Sequence, residues 1–348
     1  MSLAIVTGAP GWLGTRLVQA LVHGLPDQPE LRSRARTVRC LVRPGQDTSE
    51  LEHLGSAVEI VRGDITQPET IEPLFAGAEG ASVFHSAGLV HPALMTRSLY
   101  QVNVQGTRNV LSAATRAHAR RLVHISSNSP FGTNPSRSDV FDEASDYHPY
   151  MKYGQTKMLA ERIVKQAQTA GDLETVILRP PWFYGPGQPP RQTLFFRMIR
   201  DGRVPVVGDG ENRRSMAYVD DICQAVLLAE QSPRAPGQEY WIADRNAYTM
   251  NEVISAIEAV LERDFKVPCA RRRIHLPDIV GRIATAIDAF MQSLGFYHQK
   301  VHVLGEMNKT IACSIQKAEL ELGYRPSVQL EEGMRRSIQW MIERGETI

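Results

Sequence analysis

The sequence has few cysteines, no long apolar run and no excess of charge of either sign. Its four cysteines, Cys40, Cys223, Cys269 and Cys313, lie far apart, with neither CxxC spacing nor a nearby histidine pair. This spacing indicates reduced thiols rather than a disulfide framework or a zinc site, and no metal is expected. Reduced thiols are typical of the cytoplasm, where we expect the protein to act.

The balance of charge is nearly even, with 39 lysines and arginines against 38 aspartates and glutamates. Such a chain has no global field that would recruit nucleic acid or an acidic membrane surface, so a small-molecule partner is expected. No window reaches the roughly 18 apolar residues of a membrane span, and we expect no such span. In 277–294, apolar residues recur with helical period, which favours a core or lid helix over one that binds a membrane surface or a partner.

The sequence does contain a regular alternation of short apolar runs and longer helical patterns. The runs are LAIVTG, TVRCLV, VEIVRGD, ASVFHSAG, RLVHISS, TVILRPP and, later, EYWIAD. Fully apolar strands separated by helices indicate buried parallel strands with crossovers on both faces. The predicted fold is therefore α/β, a Rossmann-type doubly wound parallel sheet.

A change of composition suggests how the chain divides. The Pro- and Gly-rich segment WFYGPGQPPRQ leaves the sixth strand and is typical of a domain edge. We predict a dinucleotide-binding domain over 1–182, to which a segment at about 215–246 returns. The remainder, 183–214 and 247–348, is expected to form a smaller, interleaved C-terminal substrate lobe.

A glycine-rich turn joins the first strand to the first helix. In VTGAPGWLGTRLVQAL, Gly8, Gly11 and Gly14 follow at three-residue intervals. Glycines permit the tight turn and close approach of the backbone to a pyrophosphate, and the helix N-terminus at Trp12 and Leu13 attracts the anion. The context of first strand and first helix predicts dinucleotide binding.

The ends of the second and third strands address the adenosine half of such a cofactor. NAD-binding proteins usually have an acidic residue at the end of the second strand, whereas here Val42 is followed by Arg43. An arginine can pair with a 2′-phosphate, so NADP is favoured over NAD. Asp64, which Ile65 follows, lies at the end of the third strand, where it could accept a hydrogen bond from the adenine amino group. Asp64 can equally cap the next helix.

The motifs TGAPGWLG, RGDIT, FHSAG, NVQGTRNVLSAA, HISSNSPFG, YGQTK and LRPPWFYGPG occur in an order that resembles the extended short-chain dehydrogenase/reductase superfamily. The likeness continues through YVDDICQAVLLA to KAELELGYRP and so covers almost the whole chain. The sequence resembles in particular the 3β-hydroxysteroid dehydrogenase and dihydroflavonol reductase branch, and the NAD-dependent epimerase/dehydratase family. The resemblance implies a possible homodimer.

Tyr153 and Lys157 carry the predicted chemistry. Of the ten tyrosines, only Tyr153 has a lysine four residues further on, and this spacing places both side chains on one helix face. A neighbouring ammonium and a positive nicotinamide ring are expected to lower the phenol pKa toward working pH. Tyr153 could then exchange a proton with an alcohol or ketone, whereas Tyr147 and Tyr150 suit cleft lining or packing.

The resemblance assigns further roles. It implies that Lys157 also binds the nicotinamide ribose and that Ser127 orients the substrate oxygen, with Ser129 as the reserve candidate. Asn103 would support the site geometry. The resemblance also places the cofactor against a set of strand-end residues: Ser86, Ala87 and Gly88 of FHSAG, and Pro180 and Trp182 of RPPW.

Three functions compete. The first is hydride transfer between nicotinamide and a secondary alcohol or ketone. The second is nucleotide-sugar epimerisation, because Arg214 matches the place where such enzymes hold an arginine against the diphosphate. A 4,6-dehydratase is disfavoured, since Asn128 and Ser129 occupy the places of its Asp-Glu pair. The third is dinucleotide sensing without turnover, which retention of Ser127, Tyr153 and Lys157 disfavours.

Overall fold

The computed structural model describes residues 3–33, 35, 37–171 and 173–348. In these residues the strands are β1 (Leu3–Thr7), β2 (Thr37–Val42), β3 (Val58–Arg62), β4 (Ser82–His85), β5 (Arg121–Ile125), β6 (Glu174–Arg179), β7 (Trp182–Tyr184), β8 (Val204–Val207), β9 (Arg213–Arg214), β10 (Met216–Tyr218), β11 (Glu239–Trp241), β12 (Tyr248–Thr249) and β13 (Arg273–Leu276).

The helices in the same residues are α1 (Trp12–His23), α2 (Ser49–Glu52), α3 (Pro68–Ile71), α4 (Arg97–Tyr100), α5 (Thr107–Arg116), α6 (Met151–Ala170), α7 (Pro190–Arg200), α8 (Val219–Gln231), α9 (Met250–Phe265), α10 (Asp278–Ser293), α11 (Gln299–Glu306), α12 (Gln316–Leu322) and α13 (Leu330–Glu343). A π-helical segment, Gln101–Gly106, joins α4 to α5, and short 3-10 turns occupy Gly55–Ala57 and Glu72–Phe75.

The central sheet has seven parallel strands in the order β11-β6-β5-β4-β1-β2-β3. Each of the seven apolar runs in the sequence forms one of these strands, which confirms the predicted Rossmann-type doubly wound fold. From β1 the chain runs outward to β2 and β3, and then returns to place β4 on the other side of β1. This reversal opens a crevice at the carboxyl ends of β1 and β4, where doubly wound sheets bind ligands.

Each face of the sheet is covered by its own apolar core. Successive residues of a strand point to opposite faces, so Ala4 and Val6 contact the core beneath α1 and α8, whereas Ile5 contacts the core beneath α3 and α5. The sheet is thus buried on both sides and can hold residues at its carboxyl edge in fixed positions.

The segments outside this sheet form small sheets of their own. β8 pairs with β13, β9 with β12, and β10 with β7. A third core lies between α9 and α13 and includes Ile257, Leu261 and Ile338. The partition of the chain into a dinucleotide-binding domain and a substrate lobe remains a prediction.

Helix α10 departs from the sequence-based expectation of a core or lid helix. Its buried residues are Gly281, Ala284, Asp288 and Gln292, whereas its large apolar side chains are exposed. The expectation was wrong because amphipathic periodicity identifies two faces without identifying which one meets protein. Among the described residues, no helix has both the length and the apolar character needed to cross a membrane.

Candidate active site

The glycine turn after β1 allows contacts that a side chain would prevent. Gly8 has a φ of +95°, and a Cβ there would lie 2.6 Å from the Ala87 nitrogen. A Cβ on Gly14 would lie 2.4 Å from the Gly8 carbonyl oxygen. The turn therefore needs glycine to bring α1 close to the carboxyl ends of β1 and β4.

The start of α1 suits an anionic group. Its N-cap, Gly11, supplies no capping side chain, and the first turn contains no acidic residue. The first N–H groups of an α-helix have no partner within the helix, so those at Trp12 and Leu13 can donate to a pyrophosphate. The indole of Trp12 donates to the Pro186 carbonyl oxygen at 2.7 Å, which fixes the loop after β7 beside this turn.

The adenosine end of the predicted site lies at β2 and β3. Arg43 is exposed directly after β2, and its neighbour Arg62 donates to the Gln46 carbonyl oxygen at 2.9 Å, which holds the loop. Asp64 accepts hydrogen bonds from the Thr66 N–H at 2.9 Å and hydroxyl at 2.8 Å. Asp64 therefore caps the local turn, with Ile65 buried beside it.

The segment after β4 is held at the crevice by polar contacts. Ser86 donates through its hydroxyl to the Thr7 carbonyl oxygen at 2.7 Å. Asn103 accepts from the Leu89 N–H at 2.7 Å and donates to the Leu89 carbonyl oxygen at 2.9 Å. The structure thus gives Asn103 a bracing position that holds the Ser86–Ala87–Gly88 segment near the glycine turn.

Ser127 and Tyr153 meet at the carboxyl end of β5. Tyr153 lies half-buried in the first turns of α6, and the Ser127 hydroxyl is close enough to its phenol to influence the phenol pKa. The Ser129 hydroxyl lies 3.4 Å from that of Ser127. Ser126 instead donates to Glu161 at 2.5 Å, on the other side of the strand end.

Lys157 lies one turn after Tyr153, but its ammonium contacts the sheet. Its Nζ donates to the Ile125 carbonyl oxygen at 2.8 Å and lies 3.4 Å from Nε2 of His124. Burial lowers the Lys157 pKa to about 8, against the opposing effect of the Glu161 charge. Burial also keeps His124 neutral by moving its pKa well below the usual value, so this ring can accept from Lys157.

The Tyr153 pKa differs from the sequence-based expectation. Burial raises it to about 12, and the nearby Ser127 hydroxyl only partly offsets this rise. Lys157 does not produce the expected lowering, because its ammonium is directed to β5. The cation that lowers the Tyr153 pKa is Arg191 of α7, a residue that the sequence analysis missed.

Arg191 belongs to the Pro- and Gly-rich connection that was interpreted only as a domain edge. Its guanidinium forms no salt bridge within the described part of the chain. The pKa of His91 is lowered mainly by burial and, to a smaller extent, by the charge of Arg191. The signal available in the sequence was an arginine soon after the RPPW strand end. That signal is weak, because the approach of Arg191 to Tyr153 depends on how α7 packs.

A buried ion pair joins the end of β6 to α6. Arg179, at the end of β6, donates to Glu161 at 2.8 Å, and both side chains are almost completely buried. Glu161 also accepts from the Tyr147 hydroxyl at 2.7 Å, and the Arg179 guanidinium lies 4.5 Å from the Phe131 ring centroid. This group joins β6, α6 and the loop after β5.

The loop over 126–150 is tied to distant parts of the chain. Phe131, Phe141 and Trp241 form a small apolar cluster, in which the last two rings stack at 5.8 Å. The Asn134 N–H donates to the Thr310 carbonyl oxygen at 2.9 Å, and that of Phe141 donates to Ala312 at 2.8 Å. Segment 310–314 therefore holds the loop that leads from Ser127 to Tyr153.

The remaining predicted residues are buried or half-buried. Pro180 is buried, and Trp182 is half-buried with its ring centroid 6.1 Å from that of Phe195. Arg214 donates to the main-chain oxygen of Glu306, and burial lowers its pKa. The substrate contacts assigned to Ser129 and Arg214 remain predictions.

A sequence model of the NAD dependent epimerase/dehydratase family matches residues 4–243, more than half of the chain. The chain belongs to this family. The resemblance drawn from the motifs is thereby confirmed, and the matched residues include the glycine turn, Ser127, Tyr153 and Lys157.

Family members of several activities are similar to this chain. An uncharacterized protein of Sinorhizobium fredii, y4nL, is 48% identical over 99% of this chain and 96% of its own length. The 2-alkyl-3-oxoalkanoate reductase of Stenotrophomonas maltophilia is 30% identical over 95% of this chain and 97% of its own length. The 3 beta-hydroxysteroid dehydrogenase type 7 of Mus musculus represents the predicted branch. It is 29% identical over 97% of this chain and 95% of its own length.

Among solved structures, the dTDP-glucose 4,6-dehydratase DesIV of Streptomyces venezuelae, with NAD bound, aligns with a TM-score of 0.74. It is 25% identical, and the alignment covers 99% of this chain and 98% of that one. The family therefore includes reductases, dehydrogenases and dehydratases, and structural neighbours bind NAD.

Proposed function

We propose that this protein is an NAD(P)-dependent oxidoreductase that interconverts a secondary alcohol and a ketone. The observation that carries the proposal is that Ser127, Tyr153 and Lys157 lie near the carboxyl end of β5, at the same edge of the sheet as the glycine turn, where such folds bind ligands. Two similar proteins are named as a ketone reductase and a hydroxysteroid dehydrogenase, which supports this reaction class.

The cofactor would be held by the main-chain N–H groups at the start of α1 and by Lys157. When bound, its nicotinamide supplies or accepts the hydride. Ser127 holds the substrate oxygen against the Tyr153 phenol. In reduction, Tyr153 donates its proton to that oxygen, and in oxidation it removes the proton again. The raised Tyr153 pKa keeps the phenol protonated before reduction, and the charge of Arg191 stabilises the phenolate afterwards.

Epimerisation of a nucleotide sugar is the alternative. One N–H of Arg214 donates to the Glu306 main chain, but its buried Nε has no hydrogen-bond partner among the described residues, which keeps Arg214 as a candidate contact for a diphosphate. The same cofactor chemistry would also serve an epimerase, which returns the hydride to its own substrate.

A turnover screen tests the proposal. Purified protein would be incubated with NADPH or NADH and aliphatic 3-oxo acids, hydroxysteroid-type and flavonoid-type ketones, and UDP- or dTDP-hexoses. Net oxidation of the cofactor with a ketone supports the oxidoreductase, whereas conversion of a sugar nucleotide without net cofactor consumption identifies an epimerase. Tight dinucleotide binding without turnover on any substrate points to the sensing role.

The cofactor preference can be tested at the end of β2. We propose that Arg43 pairs with the 2′-phosphate of NADP, because its guanidinium is exposed at this strand end. Arg43→Ala should raise the Kd for NADPH about five- to tenfold and leave the Kd for NADH within about twofold. Fluorescence titration measures both values. Arg32→Ala, at another exposed arginine before β2, is the control, and an equal loss for both cofactors would contradict the assignment.

The pH dependence should report on Lys157. Its pKa of about 8 means that the ammonium is lost as the pH rises through that value. Because the charged form binds the ribose, kcat/KM for NADPH should fall above about pH 8. Lys157→Arg keeps its charge at this position and should move the decline in kcat/KM to higher pH. Glu161→Gln removes a charge that raises the Lys157 pKa, and it should move the decline to lower pH. If the decline occurs at the same pH in both variants, the titration of Lys157 does not cause it.

A further inference from the structure

Helix α10 faces the protein with its small and polar residues. Gly281, Ala284, Asp288 and Gln292 are buried, while the exposed large side chains form a stripe that we call the apolar ridge: Ile279, Ile283, Ile287, Phe290 and Leu294. Successive residues of a helix are rotated by about 100° around its axis, so the ridge covers about 80° of the helix circumference. The centre of the ridge lies about 145° around the axis from the centre of the buried set. Phe290 is 66% exposed, the highest value in the ridge.

Specific contacts fix this orientation. Asp288 is paired with His302 of α11 at 2.7 Å and accepts from the Gln292 amide at 2.9 Å. The Gln292 side-chain oxygen in turn accepts from the Lys152 N–H at 3.0 Å. Helix α10 cannot roll to bury its ridge without breaking these buried contacts, so the exposure belongs to the folded chain.

The apolar surface continues past the end of the helix. Met95 and Phe296 form an isolated antiparallel bridge, and the Tyr297 N–H donates to the Leu94 carbonyl oxygen at 2.7 Å. The side chains of Leu94, Met95 and Phe296 are each more than 40% exposed. A contiguous apolar patch of this kind on a globular protein marks an interaction surface.

The charges around the ridge are mostly positive. Segments 90–100 and 277–304, which the structure describes throughout, contain the exposed cations Arg97, Arg282 and Lys300 but only one exposed carboxylate, Asp278. None of the three cations forms a salt bridge with a described residue, whereas Asp278 accepts from the Asn308 amide at 2.6 Å. Apolar side chains flanked by unpaired cations match an anionic interface.

We infer that the apolar ridge and its flanking cations dock this protein on the surface of an anionic lipid bilayer, with α10 lying in the plane of the interface. A second copy of the chain fits less well, because a two-fold contact would bring the same unpaired cations toward each other. Since Gln292 contacts the residue before Tyr153, the ridge lies about one helix diameter, roughly 10 Å, from the catalytic helix.

Vesicle sedimentation with the full chain tests this inference without requiring turnover. Vesicles of phosphatidylcholine with one quarter phosphatidylglycerol should bind the protein at least about tenfold more strongly than phosphatidylcholine alone, and high salt should reduce the binding. The double variant Ile283→Ser/Phe290→Ser should lower the partition coefficient at least about tenfold. Leu320→Ser changes an exposed leucine on α12 and should leave binding within about twofold.

Dinucleotide titration would verify that the variants remain folded. Absence of binding to anionic vesicles would overturn the inference, as would full binding by the double variant. A lipid-free dimer in light scattering that the double variant converts to a monomer would also overturn it, since the ridge would then be a contact between copies. Failure of the turnover screen would leave the vesicle result unaffected.

Discussion

Replacing Tyr153 by phenylalanine is expected to lower kcat by about 10²- to 10⁴-fold, the usual contribution of a general acid or base. The substitution removes only the phenolic oxygen, whose pKa is influenced by the Ser127 hydroxyl and the charge of Arg191. Affinity for the dinucleotide should stay within about twofold, because the glycine turn and Lys157 are unchanged. Initial rates on the substrate found in the screen and fluorescence titration of the cofactor measure the two effects.

Tyr147→Phe is the matched control for this experiment. The Tyr147 hydroxyl donates to Glu161 rather than to the reacting groups, so its loss should leave kcat nearly unchanged. A kcat in Tyr153→Phe that stays within about tenfold of the original would remove Tyr153 from the reaction. An equal loss in both variants would point to a structural effect at the start of α6.

Removing Glu161 is expected to have the largest effect on stability. Glu161→Leu leaves Arg179 in the interior with only Glu239 nearby, at 3.8 Å, and also removes the acceptor of Ser126 and Tyr147. Breaking a buried ion pair on one side costs about 3–5 kcal/mol of unfolding free energy. Urea unfolding followed by tryptophan fluorescence measures the loss.

A double variant and a surface pair supply the controls. Glu161→Leu/Arg179→Met should regain most of the loss, because no isolated charge then remains in the interior. Asp209→Asn breaks the exposed pair with Arg137 and should change stability by less than about 1 kcal/mol. A comparably small loss in Glu161→Leu would mean that water reaches Arg179 in the variant.

The sequence was sufficient to predict the sheet and the proximity of Tyr153 to the end of β5. Seven apolar runs became seven parallel strands, and Tyr153 came to lie beside Ser127, because strand patterns and helical spacing are local properties. The direction of the Lys157 ammonium and the approach of Arg191 were not predictable. Both depend on packing between segments far apart in the chain, and this packing makes the Tyr153 pKa higher than the sequence suggested.

Helix α10 shows a second limit of the same kind. The stripe of Ile279, Ile283 and Phe290 was evident, but the opposite face proved to be the one that meets protein. Asp288 can be buried there only because His302, fourteen residues later, provides a partner. Periodicity alone contains no information about that partner.

The hydrogen bonds between the loop over 126–150 and segment 310–314 have a consequence for synthesis of the protein. All seven sheet strands are complete once Trp241 has been made, so the dinucleotide-binding edge can assemble while the chain is still growing. The loop that joins Ser127 to Tyr153 cannot be completed then, because Thr310 and Ala312 are still to be translated. A nascent chain should therefore acquire the capacity to bind a dinucleotide before the loop that leads to Tyr153 becomes ordered.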